Sequence, residues 1–285
     1  MKKNFLEKLM EIIFFISATA SILSVILICI FMFAGGIPAI KEIGIVNFLL
    51  GKKWSPSNIP PSFGILPMIL GSIYVTIGAI IIGVPIGVLT AVFLSKFCPR
   101  KIYKYVKPAV NLMAGIPSIV YGFFGMVVLV PFISNVFGGN GNSILTASVL
   151  LGTMILPTII GLSESAINSV PDSYYEGAIA LGTSHETAVM FTVVPAAKSG
   201  IFASIVLGIG RAIGETMAVV MVAGNQARMP KGILKGIRTL TANIVMEMGY
   251  AADLHREALI ATGVVLFIFI LLINGIFVIL KRRMN

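Results

Sequence analysis

Charge is scarce in this chain. Only 11% of its 285 residues are Asp, Glu, Lys or Arg, and only 11 of them are acidic. Soluble domains carry about a quarter charged residues. With 57% apolar residues and a mean hydropathy of +1.01, the composition excludes a soluble fold and describes an all-α polytopic membrane protein. Histidine is nearly absent too. His185-Glu186 opens a zinc-protease HExxH, but Val189 stands where the second histidine belongs, and His255 lies alone beside Arg256, so no metal site is expected. Cys29 falls inside the first apolar run and Cys98 in a basic loop after the second, so the two cannot meet in an oxidising compartment. No Gly-x-x-x-x-Gly-Lys-Ser/Thr occurs, and Gly208, Gly210 and Gly214 miss the dinucleotide spacing because Ile213 occupies the third glycine's place. No cofactor and no catalytic activity are expected. If the chain does uphill work, another chain hydrolyses the ATP.

What is present is a set of long apolar runs. Six of them, at about residues 12–33, 67–94, 109–132, 144–166, 201–223 and 258–280, are each long enough to span a bilayer, which takes about 20 helical residues. Ala18-Thr19-Ala20 resembles a signal-peptide cleavage site, but it lies mid-run, so the first span is read as uncleaved. Lys2, Lys3, Lys8, the compact basic loop from Lys96 to Lys107, Lys198, and Lys281, Arg282 and Arg283 fall on one side. The uncharged Gly138-Gly139-Asn140-Gly141-Asn142 turn falls on the other, which places both termini in the cytoplasm. Basic clusters beside apolar runs account for the net charge of +10, and nucleic-acid binding is excluded as their explanation. Trp54, the only tryptophan, reads as a membrane-surface anchor. In the last external loop Ile233, Ile237, Leu240, Ile244 and Met248 form a helical apolar stripe, either a helix on the bilayer surface or a lip where an external partner docks.

The most informative stretch runs from residue 164 to residue 225. Ser173 with Glu176 three residues later has the form of a capping box, Gly182 suits a left-handed helix end, and Pro195 forbids simple continuation into the next span. A short helix between two spans is expected. The fifth run is apolar except for Arg211 and Glu215, and a charge at bilayer depth costs about 2.5 to 3.5 kcal/mol on insertion scales. Four apart on one helix, the two could neutralise each other, but such a pair stabilises by only about 0.3 to 0.5 kcal/mol when exposed, so a role facing a substrate pathway is expected. Gly83 with Gly87 and Gly210 with Gly214 have close-packing spacing, and Pro85, Pro117, Pro131 and Pro157 interrupt the spans.

Glu176, Ala178, Gly182 (six residues after the glutamate) and Pro195 (nineteen after it) fall at the offsets of the Glu-Ala-Ala…Gly…Ile-x-Leu-Pro motif of ABC importer membrane subunits, from which Gly177, Thr192 and Val194 depart. Leu112-Met113-Ala114-Gly115-Ile116-Pro117-Ser118-Ile119-Val120-Tyr121-Gly122, Pro85-Ile86-Gly87 and Gly210-Arg211-Ala212-Ile213-Gly214-Glu215-Thr216-Met217-Ala218 resemble the permeases of the bacterial high-affinity phosphate importer. Val222-Ala223-Gly224-Asn225 is similar to the C-type branch. The resemblance implies six transmembrane helices in a type I importer bundle, one domain over 1–285 with a first span and external segment at 1–60 and a core at 61–285. It also implies a coupling helix at about 171–182, in which Ser173, Glu176, Ala178, Gly182 and Pro195 serve an ATPase. The implied partners are a second, paralogous permease, two cytoplasmic ATPase subunits, an extracytoplasmic phosphate-binding protein and the lipid of a bacterial inner membrane. On that reading Arg211 offers phosphate bidentate hydrogen bonds and Glu215 tempers the site so that phosphate can leave. The alternatives are another oxyanion (sulfate, molybdate or tungstate), a non-transporting sensor or scaffold, a secondary carrier, or an intramembrane enzyme.

Overall fold

The computed structural model describes residues 5–284, with side chains from Glu7 to Ile279. Lys2 and Lys3 and the side chains of Lys281, Arg282 and Arg283, which entered the orientation argument, lie outside the described residues. Five stretches are long and apolar enough to cross a membrane: Glu7–Ile43, Leu66–Phe97, Ser118–Phe137, Ile144–Asn168 and Asp253–Ile279. A sixth is bent by 68° between His185–Ala196 and Lys198–Gly214.

In chain order, α1 (Phe5–Ile43) and the short α2 (Ile45–Leu50) lead to a two-stranded hairpin, β1 (Trp54–Ser55) and β2 (Ser62–Phe63), paired Trp54 to Phe63. Next come α3 (Leu66–Val92), α4 (Arg100–Gly115), α5 (Ser118–Phe124), α6 (Val130–Phe137) and α7 (Ile144–Asn168). The second half holds α8 (Asp172–Ala180), α9 (His185–Ala188), α10 (Val194–Ala196), α11 (Lys198–Gly214), α12 (Met217–Val222), α13 (Leu240–Glu247) and α14 (Asp253–Met284). Three π-helical turns, Phe93–Phe97, Gly125–Leu129 and Val189–Val193, each end two residues before a proline, namely Pro99, Pro131 and Pro195. Proline cannot donate to the carbonyl one turn back, and a widened turn lets neighbouring groups take up the slack.

α7 is the hub. In its most apolar stretch 67% of residues are buried, against none in α1, which packs mainly on α14 and presents the rest of its surface outward. Val75 and Ala79 of α3 meet Leu150, Leu151, Met154 and Ile155 of α7 in one cluster that continues to Ala212, Val219 and Val222. Small residues permit the approach: a Cβ placed on Gly83 would lie 2.8 Å from the Gly152 carbonyl oxygen. Gly87 meets Ile159 in the same way, whereas a Cβ placed on Gly210 or Gly214 would meet nothing within 4 Å, so these two glycines serve no close approach within this chain. At the far end of α7 the buried Glu164 accepts from Tyr103 (2.8 Å) and Lys107 (2.6 Å), which fixes α4 against α7.

Three expectations are corrected. The third span does not run through residues 109–132, because Pro117 holds Ile116 extended (φ −71°, ψ 125°) and separates the amphipathic α4 from the span at Ser118–Phe137. The stripe from Ile233 to Met248 is helical only over Leu240–Glu247, where Thr239 caps the helix by accepting from the Ala242 amide. Gly232, with φ at +148°, and the turn at Ile233-Leu234 prevent helix upstream, and Ile237 and Leu240 are buried in the protein rather than laid on lipid. Trp54 is not a surface anchor either. It is buried edge-on to Phe63, at 5.8 Å between ring centroids, and donates its indole N–H to Glu247 (2.9 Å).

Glu247 also accepts from Arg238 and faces the His255 imidazole at 2.9 Å, while Arg238 donates further to the Asn225 carbonyl and to Asn243. Burial pushes the Glu247 carboxyl upward, but the hydrogen bonds from Trp54, His255 and Arg238, with the charge of Arg238, outweigh it and hold the group below its ordinary value. A carboxyl depressed in the fold stabilises it above the unfolded value and loses that contribution as pH falls through the folded one. Acidification below about pH 4, past the ordinary Glu range, is therefore expected to loosen this cluster and change the emission of the lone tryptophan. In the Glu247→Gln variant, titrated in parallel by fluorescence, that acid transition should be missing.

Candidate functional site

The fifth apolar run is not one helix. α11 ends at Gly214, Glu215 is extended (φ −67°, ψ 133°), and α12 begins at Met217. Arg211 and Glu215 therefore do not sit one turn apart on a shared face, as a continuous helix required, and they form no ion pair among the described residues. The Glu215 carboxylate instead accepts from the amides of Thr216 (3.0 Å) and Ala218 (3.3 Å), capping α12 at the end where the helix dipole favours an anion. Its backbone carbonyl accepts from the Thr241 hydroxyl (3.0 Å), and the Leu240 amide donates to Ser72 of α3, so the break is stitched to α13 and α3.

Arg211 is thus left without a carboxylate partner among the described residues. Its guanidinium donates to the Thr158 hydroxyl of α7 at 3.3 Å and lies within electrostatic range of Tyr121 of α5. Tyr121 in turn donates to the Met113 carbonyl (3.0 Å), holding the break at Ile116-Pro117 beside it. A fixed cation with free donors, a hydroxyl and broken helix ends can hold an oxyanion. The sequence singled out neither Thr158 nor Tyr121 for a role, although Tyr121 lies in the stretch 112–122; a hydroxyl directly after Pro157 was the available signal for Thr158.

About 20 Å of α11, at 1.5 Å per residue, separates Arg211 from Lys198 and the turn that precedes it. There α8 starts at Asp172 with Pro171, not Ser173, at its cap position, so the expected capping box does not form: Ser173 lies within the first turn, and both it and Glu176 are exposed. The side-chain cap in this region is Ser184, which accepts from the Thr187 amide (3.3 Å). Gly182 behaves as expected. With φ at +84°, it donates to Ile179 (2.9 Å), while Thr183 donates to Ala178 through both its amide and its hydroxyl, closing the helix. Pro195 is exposed inside the bent pair, and the break falls two residues later at Ala197 (φ −83°, ψ 0°). Leu181, 87% exposed, and Tyr174 leave an apolar face on the outside of the turn. Among the described residues no three His, Cys, Asp or Glu side chains gather as metal ligands.

Residues 83–285 match the family described as binding-protein-dependent transport system inner membrane component. The chain is 38% identical to the probable ABC transporter permease protein YqgH of Bacillus subtilis over 87% of its own length and 83% of that protein. It is 34% identical to the phosphate transport system permease protein PstC of Mesorhizobium japonicum over 87% and 82%. In fold it is similar to a chain of a bacterial alginate ABC transporter (TM-score 0.66, 16% identity, 98% of both chains covered). It is also similar to one of the MetNI methionine ABC transporter (TM-score 0.63, 21% identity, 78% and 96% covered). The chain belongs to the inner membrane components of binding-protein-dependent transport systems, the ABC transporter permeases.

Proposed function

We propose that this chain is the membrane-spanning subunit of an ATP-driven importer that passes inorganic phosphate into the cytoplasm. The observation that carries the reading is the Arg211 guanidinium, unpaired with any carboxylate in an apolar helix and braced by Thr158. The phosphate permeases among its relatives support the choice of anion. Arg211 binds phosphate through its fork of N–H donors as the anion sheds water, and Thr158 orients the guanidinium. Glu215 acts beside it by holding α12 and the turn into place, so that its charge tempers the site without cancelling Arg211.

The energy comes from elsewhere. We assign Ser173, Glu176, Ala178, Gly182 and Pro195, with the exposed face of α8 opposite Tyr175, to the docking of a cytoplasmic ATPase, one of two such subunits. A second, paralogous permease covers the exposed side of Arg211, and an extracytoplasmic phosphate-binding protein delivers the anion. Both termini and α8 lie in the cytoplasm of a bacterium with this chain in its inner membrane. The exposed apolar side chains Tyr174 and Leu181, on a turn that buries nothing of its own, support the docking role.

Four outcomes are expected. Arg211→Ala abolishes uptake of labelled phosphate by the reconstituted complex, and Arg211→Lys, which keeps charge but loses the fork, retains only part of it. Unlabelled sulfate should compete poorly; strong competition by sulfate would reassign the anion. A single cysteine at Ser173 is expected to react with an impermeant reagent only from the cytoplasm and one at Asn140 only from outside, and the reverse pattern overturns the orientation. Gly182→Pro removes both a donor and the positive φ, so it should leave insertion intact while lowering phosphate carried per ATP hydrolysed.

A further inference from the structure

α8 rests on the rest of the chain almost without support. Its side chains are exposed except for Tyr175 and Ala178, which are half-buried, and only Tyr175 of the two carries a polar atom. Tyr175 packs on the cluster formed by Ala91, Val92, Ile167, Val189 and Val193, where α3, α7 and the bent span meet. Its hydroxyl lies 2.9 Å from Nδ1 of His185, and Nε2 of the same ring lies 3.2 Å from the Lys96 carbonyl. Phe97 flanks the imidazole at 4.9 Å and Tyr175 at 5.6 Å between ring centroids, both edge-on.

The chemistry fixes the direction of these bonds. A carbonyl only accepts, so Nε2 carries the ring proton; the neutral ring then accepts at Nδ1, and the Tyr175 hydroxyl donates. Lys96 needs the partner because helix stops there: Cys98 is extended (φ −75°, ψ 122°) and Pro99 has no N–H, so the last carbonyls of the π turn lack helical donors. His185 is itself held, since it opens α9 immediately after the Ser184 cap. Tyr175, His185 and Lys96 therefore form one series of hydrogen bonds from the outer turn to the end of α3, and α3 packs along α7, which carries Thr158.

We propose that His185 is a positioning residue for coupling: it passes the displacement of α8 to the end of α3 through Tyr175 and the Lys96 carbonyl. This rests on the reading of α8 as the ATPase docking helix. The side-chain amide of Gln reaches the place of Nε2 and that of Asn the place of Nδ1, so neither amide serves both ends.

The test uses the importer complex purified through this chain, reconstituted in vesicles of bacterial phospholipid and supplied with ATP and labelled inorganic phosphate. Tyr175→Phe and His185→Gln are each expected to lower phosphate carried per ATP hydrolysed by about fivefold, the effect of one lost hydrogen bond. ATPase co-purification and basal hydrolysis should stay unchanged, which a merely structural defect would not allow. Because the bonds act in series, the double variant should be no worse than the poorer single one. A normal ratio in both single variants, or losses that multiply in the double, overturns the proposal. If His185→Gln fails to accumulate, the nearly isosteric Tyr175→Phe decides alone. Gly182→Pro separates the two levels: if it too leaves the ratio unchanged, the docking reading fails, and if it uncouples where Tyr175→Phe does not, only the His185 connection fails.

Discussion

A peptide group in hydrocarbon must find its hydrogen bond within the protein, because lipid offers none. Several breaks in these helices sit where something answers that need. The π turns before Pro99, Pro131 and Pro195 reroute carbonyls that proline cannot serve. The ends at Gly214 and Gly115 are met by Glu215, Thr241 and Tyr121. Breaks placed this way end helices inside an apolar bundle while their backbone groups still find partners within the protein.

The same logic redistributes charge. Had α11 continued, Glu215 would have lain one turn from Arg211 and largely neutralised it. Ending the helix turns the carboxylate toward the amides of α12, where the local dipole stabilises it, and leaves the cation with a hydroxyl for company. On the proposed function, a bound anion offsets the cost of that guanidinium. At the end of the bundle away from α8 the reverse holds: Arg238, Glu247, His255 and Trp54 satisfy one another, and that cluster closes the hairpin, α13 and α14 into one body.

Mechanical transmission is also a question of what touches what. Between the outer turn and Arg211 stand α3, α7 and α11, packed through glycines and branched side chains at distances that tolerate little independent movement. α8 lacks such packing. Its grip on the bundle depends on its two ends and on Tyr175, so a polar connection there carries more of the load than it would in a buried helix.

Much of this was legible in the residues. Five of the six apolar runs lie where a membrane-crossing helix begins or continues, because about 20 consecutive apolar residues have no other stable arrangement in water or lipid. Gly182 ended its helix as its lack of a side chain allows, and Arg211 stood out as a charge where charge is costly. Tertiary structure decided the rest. Ser173 lost the cap position to Pro171, whose fixed φ starts the helix two residues earlier. Trp54 and Ile237 are compatible with a membrane surface by type, yet a partner far along the chain, Glu247 for one and the α3–α7 cluster for the other, drew them inside. Glu215 parted from Arg211 for a similar reason. Hydropathy sets which residues leave water, since that is a property of each side chain; which polar group each one meets there depends on neighbours remote in sequence, and only the packed bundle chooses them.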